Sequence, residues 1–175
     1  MSERGQGSAP LPGGGDPPGR ATLDRHSFGV RVYYEDTDAG GVVYHARYLG
    51  MAERARTEAL RDAGAPHAEL ASGHGLVFVV HRVAVEYRRP ARLDDLLVVE
   101  TEVTGLWAAR VELRQVVRRG GTALAALSVG LACVRVADGR AARIPPRWRA
   151  VFGGGGAGVE KSASKAGLCP DPPKA

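Results

Sequence analysis

The stretch on which the reading turns is Val30 to Ala59, V-R-V-Y-Y-E-D-T-D-A-G-G-V-V-Y-H-A-R-Y-L-G-M-A-E-R-A-R-T-E-A. It opens as a strand. From Phe28 to Tyr34 the residues are β-branched and aromatic, with Val30 and Val32 alternating with Arg31 and Tyr33. Glu35 to Val43 interrupts the run with Asp36, Asp38, Gly40 and Gly41, a polar turn. The apolar period then lengthens to that of a helix. Tyr48, Leu49, Ala52, Ala55, Ala59, Leu60 and Ala63 form one stripe within Tyr44 to Ala63. Gly64 supplies the stop, with Pro66 just beyond.

Everything downstream reads as strands. Leu76 to Arg88 alternates and predicts one shared face for Val77, Val79, His81, Val83, Val85 and Tyr87. His81 is thus expected as a half-buried, satisfied side chain, and His74, between Gly73 and Gly75, as solvated. A turn at Pro90–Asp95 leads into Leu96 to Val103, and a turn at Thr104–Ala109 into Arg110 to Arg118. Gly120-Gly121 is a tight hairpin signal into Thr122 to Val136. Ala and Leu in that last run favour helix, but the hairpin position and the Val129–Val136 end favour strand, and we read a strand. Arg143 to Trp148 reads as a closing turn. The order β-α-β-β-β-β predicts an α+β fold, a five-stranded antiparallel sheet packed on one helix. Small residues at 52, 55, 59 and 63 let a curved sheet approach that helix closely.

Composition sets the boundaries. Of 24 Gly and 11 Pro in 175 residues, ten lie in 1–27 and nine in 153–175. Such ends cannot bury enough apolar surface to offset chain entropy, so 1–27 and 153–175 are expected as disordered tails around one domain, 28–152. Cys133 and Cys169 are too few for a disulfide framework, which fits a reducing compartment. The first 27 residues lack the apolar core of a secretory signal. The longest uncharged stretch, Gly120 to Val134, is 15 residues, short of a membrane span. A soluble cytoplasmic protein with no transmembrane segment is expected. The net charge is +5, and the central domain carries Arg but no Lys. That suits an anionic ligand such as a phosphate group, although compositional bias accounts for it equally well. No dense basic block favours nucleic acid.

The chemistry concentrates between the first strand and the helix. Gly40 and Gly41 allow a sharp turn, and the free N–H groups of the helix start face back toward Asp36 and Asp38. Such a terminus favours negative charge, including an oxyanion developing on a carbonyl. A carboxylate beside it can attack that carbonyl or deprotonate a water. Asp before a helix is also a common cap, and D-x-D turns are common in loops. Metal ligation by Asp36, Asp38 and His45 is a further option, but a hard cation needs more oxygen ligands than this loop offers.

The string Tyr33-Tyr34-Glu35-Asp36-Thr37-Asp38, then Gly40 to Ala46, Tyr48 and Glu53-Arg54-Ala55-Arg56, resembles the hotdog-fold acyl-CoA thioesterases of the 4-hydroxybenzoyl-CoA thioesterase class. Within it, the likeness is strongest to the Tol–Pal-associated enzymes. Val85-Glu86-Tyr87, Pro90 to Asp95 and Arg143-Ile144-Pro145 extend the match over residues 28–152. The resemblance implies a sheet wrapped around one long central helix, and protomers paired sheet edge to sheet edge as a homodimer or homotetramer. It implies hydrolysis of acyl-CoA with no cofactor and no metal. Asp38 falls on the catalytic carboxylate, and the N–H that holds the thioester carbonyl falls on His45, whose side chain assists. Tyr34, Asp36, Gly41 and Tyr44 fall on supporting positions. Two departures stand out. Gly50, Met51 and Ala52 replace bulky aromatics, and Trp107-Ala108-Ala109 replaces a basic hairpin, leaving Arg88, Arg89 and Arg110 as candidates for CoA phosphates. Two other readings stay open: a hotdog dehydratase, against which the D-T-D string argues, and a non-catalytic acyl-CoA or acyl-carrier-protein binding module at the inner membrane face. The acyl group, the carrier and the role of the tails are left open.

Overall fold

The computed structural model describes Leu23 and residues 25–153. The rest of the expected tails, with Cys169, lies outside the described residues. The strands are β1 (His26–Arg31), β2 (Leu76–Tyr87), β3 (Leu96–Leu106), β4 (Arg110–Arg119) and β5 (Thr122–Arg135). The helices are α1 (Arg47–Asp62), α2 (His67–His74) and α3 (Pro146–Val151), and a 3-10 turn spans Tyr34–Asp36. The strands form one antiparallel sheet in the order β1-β3-β4-β5-β2. Its inner face wraps α1, as the alternation and the helical stripe predict. Thr122 to Val136 is a strand.

The stripe of α1 buries Tyr48, Ala52, Ala55, Ala59 and Leu60, and also Met51, which stood outside the predicted set. The helix begins at Arg47 rather than Tyr44, because Tyr44 to Ala46 forms the turn that feeds it: the Arg47 N–H donates to the Tyr44 carbonyl at 2.9 Å. Across the core, Gln115 is fully buried and fully used. Its Nε2 donates to the Ala52 carbonyl and to Thr101 Oγ1, both at 2.9 Å, while Oε1 accepts from Arg56 Nη1 at 2.8 Å. A buried amide satisfied on both ends ties α1 to β3 and β4 in one register.

Several expectations change. Residues 67–74, read as a connection, form a helix: Pro66 precedes it, and Gly75 ends it in the left-handed region with φ 61°. Only Leu70 of α2 is buried, so no apolar stripe announces it. The closing turn is a helix, α3, entered through Pro145-Pro146. The tail boundary at residue 28 moves outward, because β1 begins at His26 and Leu23 is buried.

The single face predicted for β2 splits in two. The register with β5 shifts between Val80 and Arg82, and this bulge reverses the alternation. Val77 and Val79 point to the outer face, while Val83, Val85 and Tyr87 oppose the buried Val129, Leu127 and Ala125 on the inner one. His81, on the bulge, is exposed, with its ring over Gly130, where a Cβ would stand 2.8 Å from His81 Nε2.

Candidate active site

Residues 36–44 form a miniature hairpin. Thr37 bridges Val43, the Asp38 N–H donates to the Val42 carbonyl at 3.0 Å, and the Tyr44 N–H donates to the Asp36 carbonyl at 2.9 Å. Gly41 takes the left-handed corner at φ 70°. Gly40 is needed for space: a Cβ there would lie 3.0 Å from Asp38 Oδ1. The Pro90–Asp95 turn clamps the hairpin to the helix, because the Ala91 carbonyl accepts from Val43 N–H at 2.9 Å and the Ala91 N–H donates to the Tyr48 hydroxyl at 3.0 Å. Burial pushes the Tyr48 phenol up from its ordinary pKa, with Asp95 and Tyr87 adding to the shift; the Ala91 N–H and Arg119 act against it.

The fold treats the two aspartates differently. Asp36 is 3% exposed. Its Oδ1 accepts from Arg47 Nε and its Oδ2 from the Tyr33 N–H, each at 2.9 Å. Both oxygens are therefore engaged in holding the turn. Asp38 is exposed and accepts one bond, from the Gly40 N–H to Oδ1 at 2.8 Å. Its Oδ2 has no partner among the described residues.

His45 lies one residue before the N-cap of α1. Its N–H has no acceptor among the described residues, whereas its carbonyl accepts from the Tyr87 hydroxyl at 2.9 Å. The ring stacks obliquely on Tyr44, with centroids 4.3 Å apart, and meets Tyr87 edge-on at 6.3 Å. Tyr48 meets Tyr87 in the same manner at 5.6 Å. An exposed carboxylate and a free N–H at a helix start thus sit on one short segment, with the Tyr44 and Tyr87 rings against His45. A carboxylate and a preorganised donor of this kind suit addition of water to a carbonyl.

The other candidates fall out as follows. Tyr34 is 81% exposed, and its hydroxyl has no partner among the described residues. Arg88 forms a bidentate pair with Glu86, at 3.2 and 3.0 Å, so its charge is already met. Arg89 is exposed and free of ion pairs among the described residues. Arg110 lies over the Trp107 ring at 5.3 Å. It pairs with Ala132, whereas Arg88 and Arg89 donate their N–H groups to Leu124, so one chain keeps these arginines at opposite ends of β5. Two contributors escaped the sequence reading as site residues, Tyr48 and Tyr87. The β2 bulge aims Tyr87 at His45, and nothing in the alternation of β2 signals a bulge.

A second feature lies along the later turns of α1, away from the site. A narrow cavity between α1 and the far end of β2 is lined by Leu60, Phe78, Leu113 and Leu131, with Arg56 and His67 among the polar members.

A five-stranded antiparallel sheet wrapped on one helix defines the hotdog type of fold. Residues 40–126 match the family described as "Thioesterase superfamily". The chain is 47% identical over 126 residues to the acyl-CoA thioesterase YbgC of Haemophilus influenzae, covering 72% of this chain and 93% of that protein. It is 47% identical over 106 residues to the acyl-CoA thioester hydrolase YbgC of Escherichia coli, covering 60% of this chain and 78% of the other. The crystal structure of a probable thioesterase from Bartonella henselae superposes with a TM-score of 0.67 at 41% identity, over 69% of this chain and 99% of that one. The chain belongs to the thioesterase superfamily.

Proposed function

We propose that the protein hydrolyses acyl-CoA thioesters to the free acid and coenzyme A, with Asp38 as the general base. The observation that carries this is the contrast between the two aspartates: Asp36 is sealed and bonded through both oxygens, while Asp38 keeps an oxygen with no partner among the described residues, on the hairpin that leads to the unpaired His45 N–H. The thioester carbonyl oxygen lies against that N–H. Asp38 takes a proton from water as the water oxygen adds to the carbonyl carbon. The resulting oxyanion is held by the His45 N–H and the positive end of α1. The C–S bond then breaks, and the Asp38 proton passes to the departing thiolate. Tyr44 and the His45 ring wall the site, and Gly41 shapes the turn. The relatives named for acyl-CoA support the substrate class.

The active unit in this reading is a homodimer joined through β2. This strand is a free sheet edge of 12 residues, and Val79, Val80 and Val83 are 39%, 46% and 42% exposed. Long apolar edges pair. Within one chain, Tyr87 and Phe78 stand at opposite ends of β2, roughly 30 Å apart at ~3.3 Å per residue. Antiparallel pairing about the middle of β2 brings the Tyr87 end of one protomer to the Phe78 end of its partner. The acyl group held at one site then enters the partner's cavity, and Arg89, next to the Glu86-paired Arg88, approaches the partner end that carries Arg110, where CoA phosphates are met. Further pairing to a tetramer, acyl carrier protein as a second thiol carrier, and action in the cytoplasm or at the inner membrane face belong to the same reading.

The test is thiol release from a panel of acyl-CoAs by the wild type and Asp38→Asn. Wild-type turnover in the variant removes Asp38 from the mechanism. Single turnover in heavy-oxygen water separates the general base from direct attack, because only an anhydride leaves the label in the Asp38 carboxylate.

A further inference from the structure

The two flanks of the described chain meet at one wall of the α1–β2 cavity. The Leu23 N–H donates to the Val151 carbonyl at 2.8 Å, and Leu23 and Phe152 are 5% and 4% exposed. Phe152 stands edge-on to Phe78, with centroids 5.5 Å apart and an interplanar angle of 88°. All three side chains line the cavity, together with Leu60 and Leu131. Its volume is about 40 Å³, room for ~3 waters. The wall residues therefore decide how much of a tail fits.

Phe152 is held by anchors that do not depend on its ring. Trp148 Nε1 donates to the Ala65 carbonyl at 2.9 Å, Arg149 Nη1 donates to the Trp107 carbonyl at 2.8 Å, and the Ile144 N–H donates to the Ala108 carbonyl at 2.8 Å. The ring is thus a fixed stop rather than a loose cover, and overfilling a packed wall is costly. Both Phe152 and Leu23 lie outside residues 40–126, the part matched by the family.

We propose that Phe152, backed by Leu23, is the specificity-determining end wall of the acyl cavity and sets the longest acyl tail accepted. This rests on the thioesterase reading above. The Phe152 ring meets the end of the tail, and Leu23 adds to the same wall.

The experiment compares wild type, Phe152→Ala and Phe152→Trp on straight-chain acyl-CoAs from acetyl to palmitoyl. Melting curves establish that each variant is folded, and Phe152→Leu stands in should the alanine variant fail to fold. Phe152→Ala is expected to move the best substrate to a longer chain, with kcat/KM rising about fourfold for each methylene newly buried. Phe152→Trp is expected to move it shorter. The same proteins are titrated with non-hydrolysable thioether analogues of the same lengths, where the affinity optimum shifts in the same directions. Folded variants with unshifted optima in both assays overturn the end wall. If no protein turns over any thioester, the thioesterase reading fails, and the titration still decides the end wall: shifted optima uphold it as the limit of an acyl-binding cavity, and unshifted optima or absent binding overturn it.

Discussion

Arg47 Nε donates to Asp36 Oδ1 at 2.9 Å, joining the first turn of α1 to the turn that precedes it. The Asp36 carboxylate is 4% exposed and the Arg47 side chain 35%, and Glu35 adds a longer contact to Arg47 at 3.5 Å. This pair holds the hairpin that carries Asp38 against the start of the helix. Arg47→Ala leaves a buried carboxylate with one N–H partner. The expected loss is about 1–3 kcal/mol of stability, with a fall in kcat, measured by urea unfolding and steady-state kinetics. Unchanged stability would remove the pair from the account of the site.

Asp38→Asn is expected to reduce kcat/KM by about 10²–10⁴. Asn can still accept from the Gly40 N–H, and the position is exposed. Stability should therefore stay within ~0.5 kcal/mol of wild type. Thermal melting and thiol release, measured on one preparation, separate a chemical loss from a structural one.

Tyr87→Phe deletes the hydroxyl that donates to the His45 carbonyl and keeps the ring beside Tyr48. A bond worth ~1 kcal/mol corresponds to about fivefold in rate. Tyr87 acts through the orientation of the His45 peptide, so the loss should fall on kcat and leave KM nearly unchanged. A rise in KM alone would place Tyr87 in substrate binding instead.

His67 supplies a pH dependence. Burial pushes its imidazole below the ordinary value of 6.5, with Arg56 and Arg61 acting in the same direction and Glu53 opposing them. The unfolded chain then binds the proton more readily than the folded one. Stability is complete above pH 6.5 and declines as the pH falls through the lowered value. His67→Gln should flatten that limb of the stability–pH curve in urea titrations. An identical limb in the variant would assign the slope to other groups.

Val83→Lys puts a charge on the β2 edge, where Val83 is 42% exposed. Sedimentation is expected to show a shift from dimer to monomer, and thioesterase activity should fall with it, because the partner's cavity is lost. An active dimer carrying this substitution would exclude assembly through β2.

The β-α-β-β-β-β order was legible because each element buries a face of fixed period: two for the strands, 3.6 for α1. Residues 67–74 escaped notice because α2 buries only Leu70. A helix held by its neighbours carries no stripe. The faces of β2 were misread for a related reason: one extra residue near His81 reverses the alternation, and a run of valines looks the same with or without it.

The site divides in the same way. Local chemistry, two glycines and two carboxylates before a helix, was enough to single out 36–45 as the candidate stretch, and the resemblance pointed within it to Asp38. The sequence leaves Asp36 and Asp38 chemically equal. Tertiary structure separates them, because burial against Arg47 and the Tyr33 N–H consumes one carboxylate, while the tip of the hairpin leaves the other in water. Likewise, only the fold brings Leu23 and Phe152 together, 129 residues apart in number, at one wall. Periodicity and turn chemistry are local and can be read along the chain. Burial and long-range contact depend on what else arrives at the same place, and only the folded chain decides that.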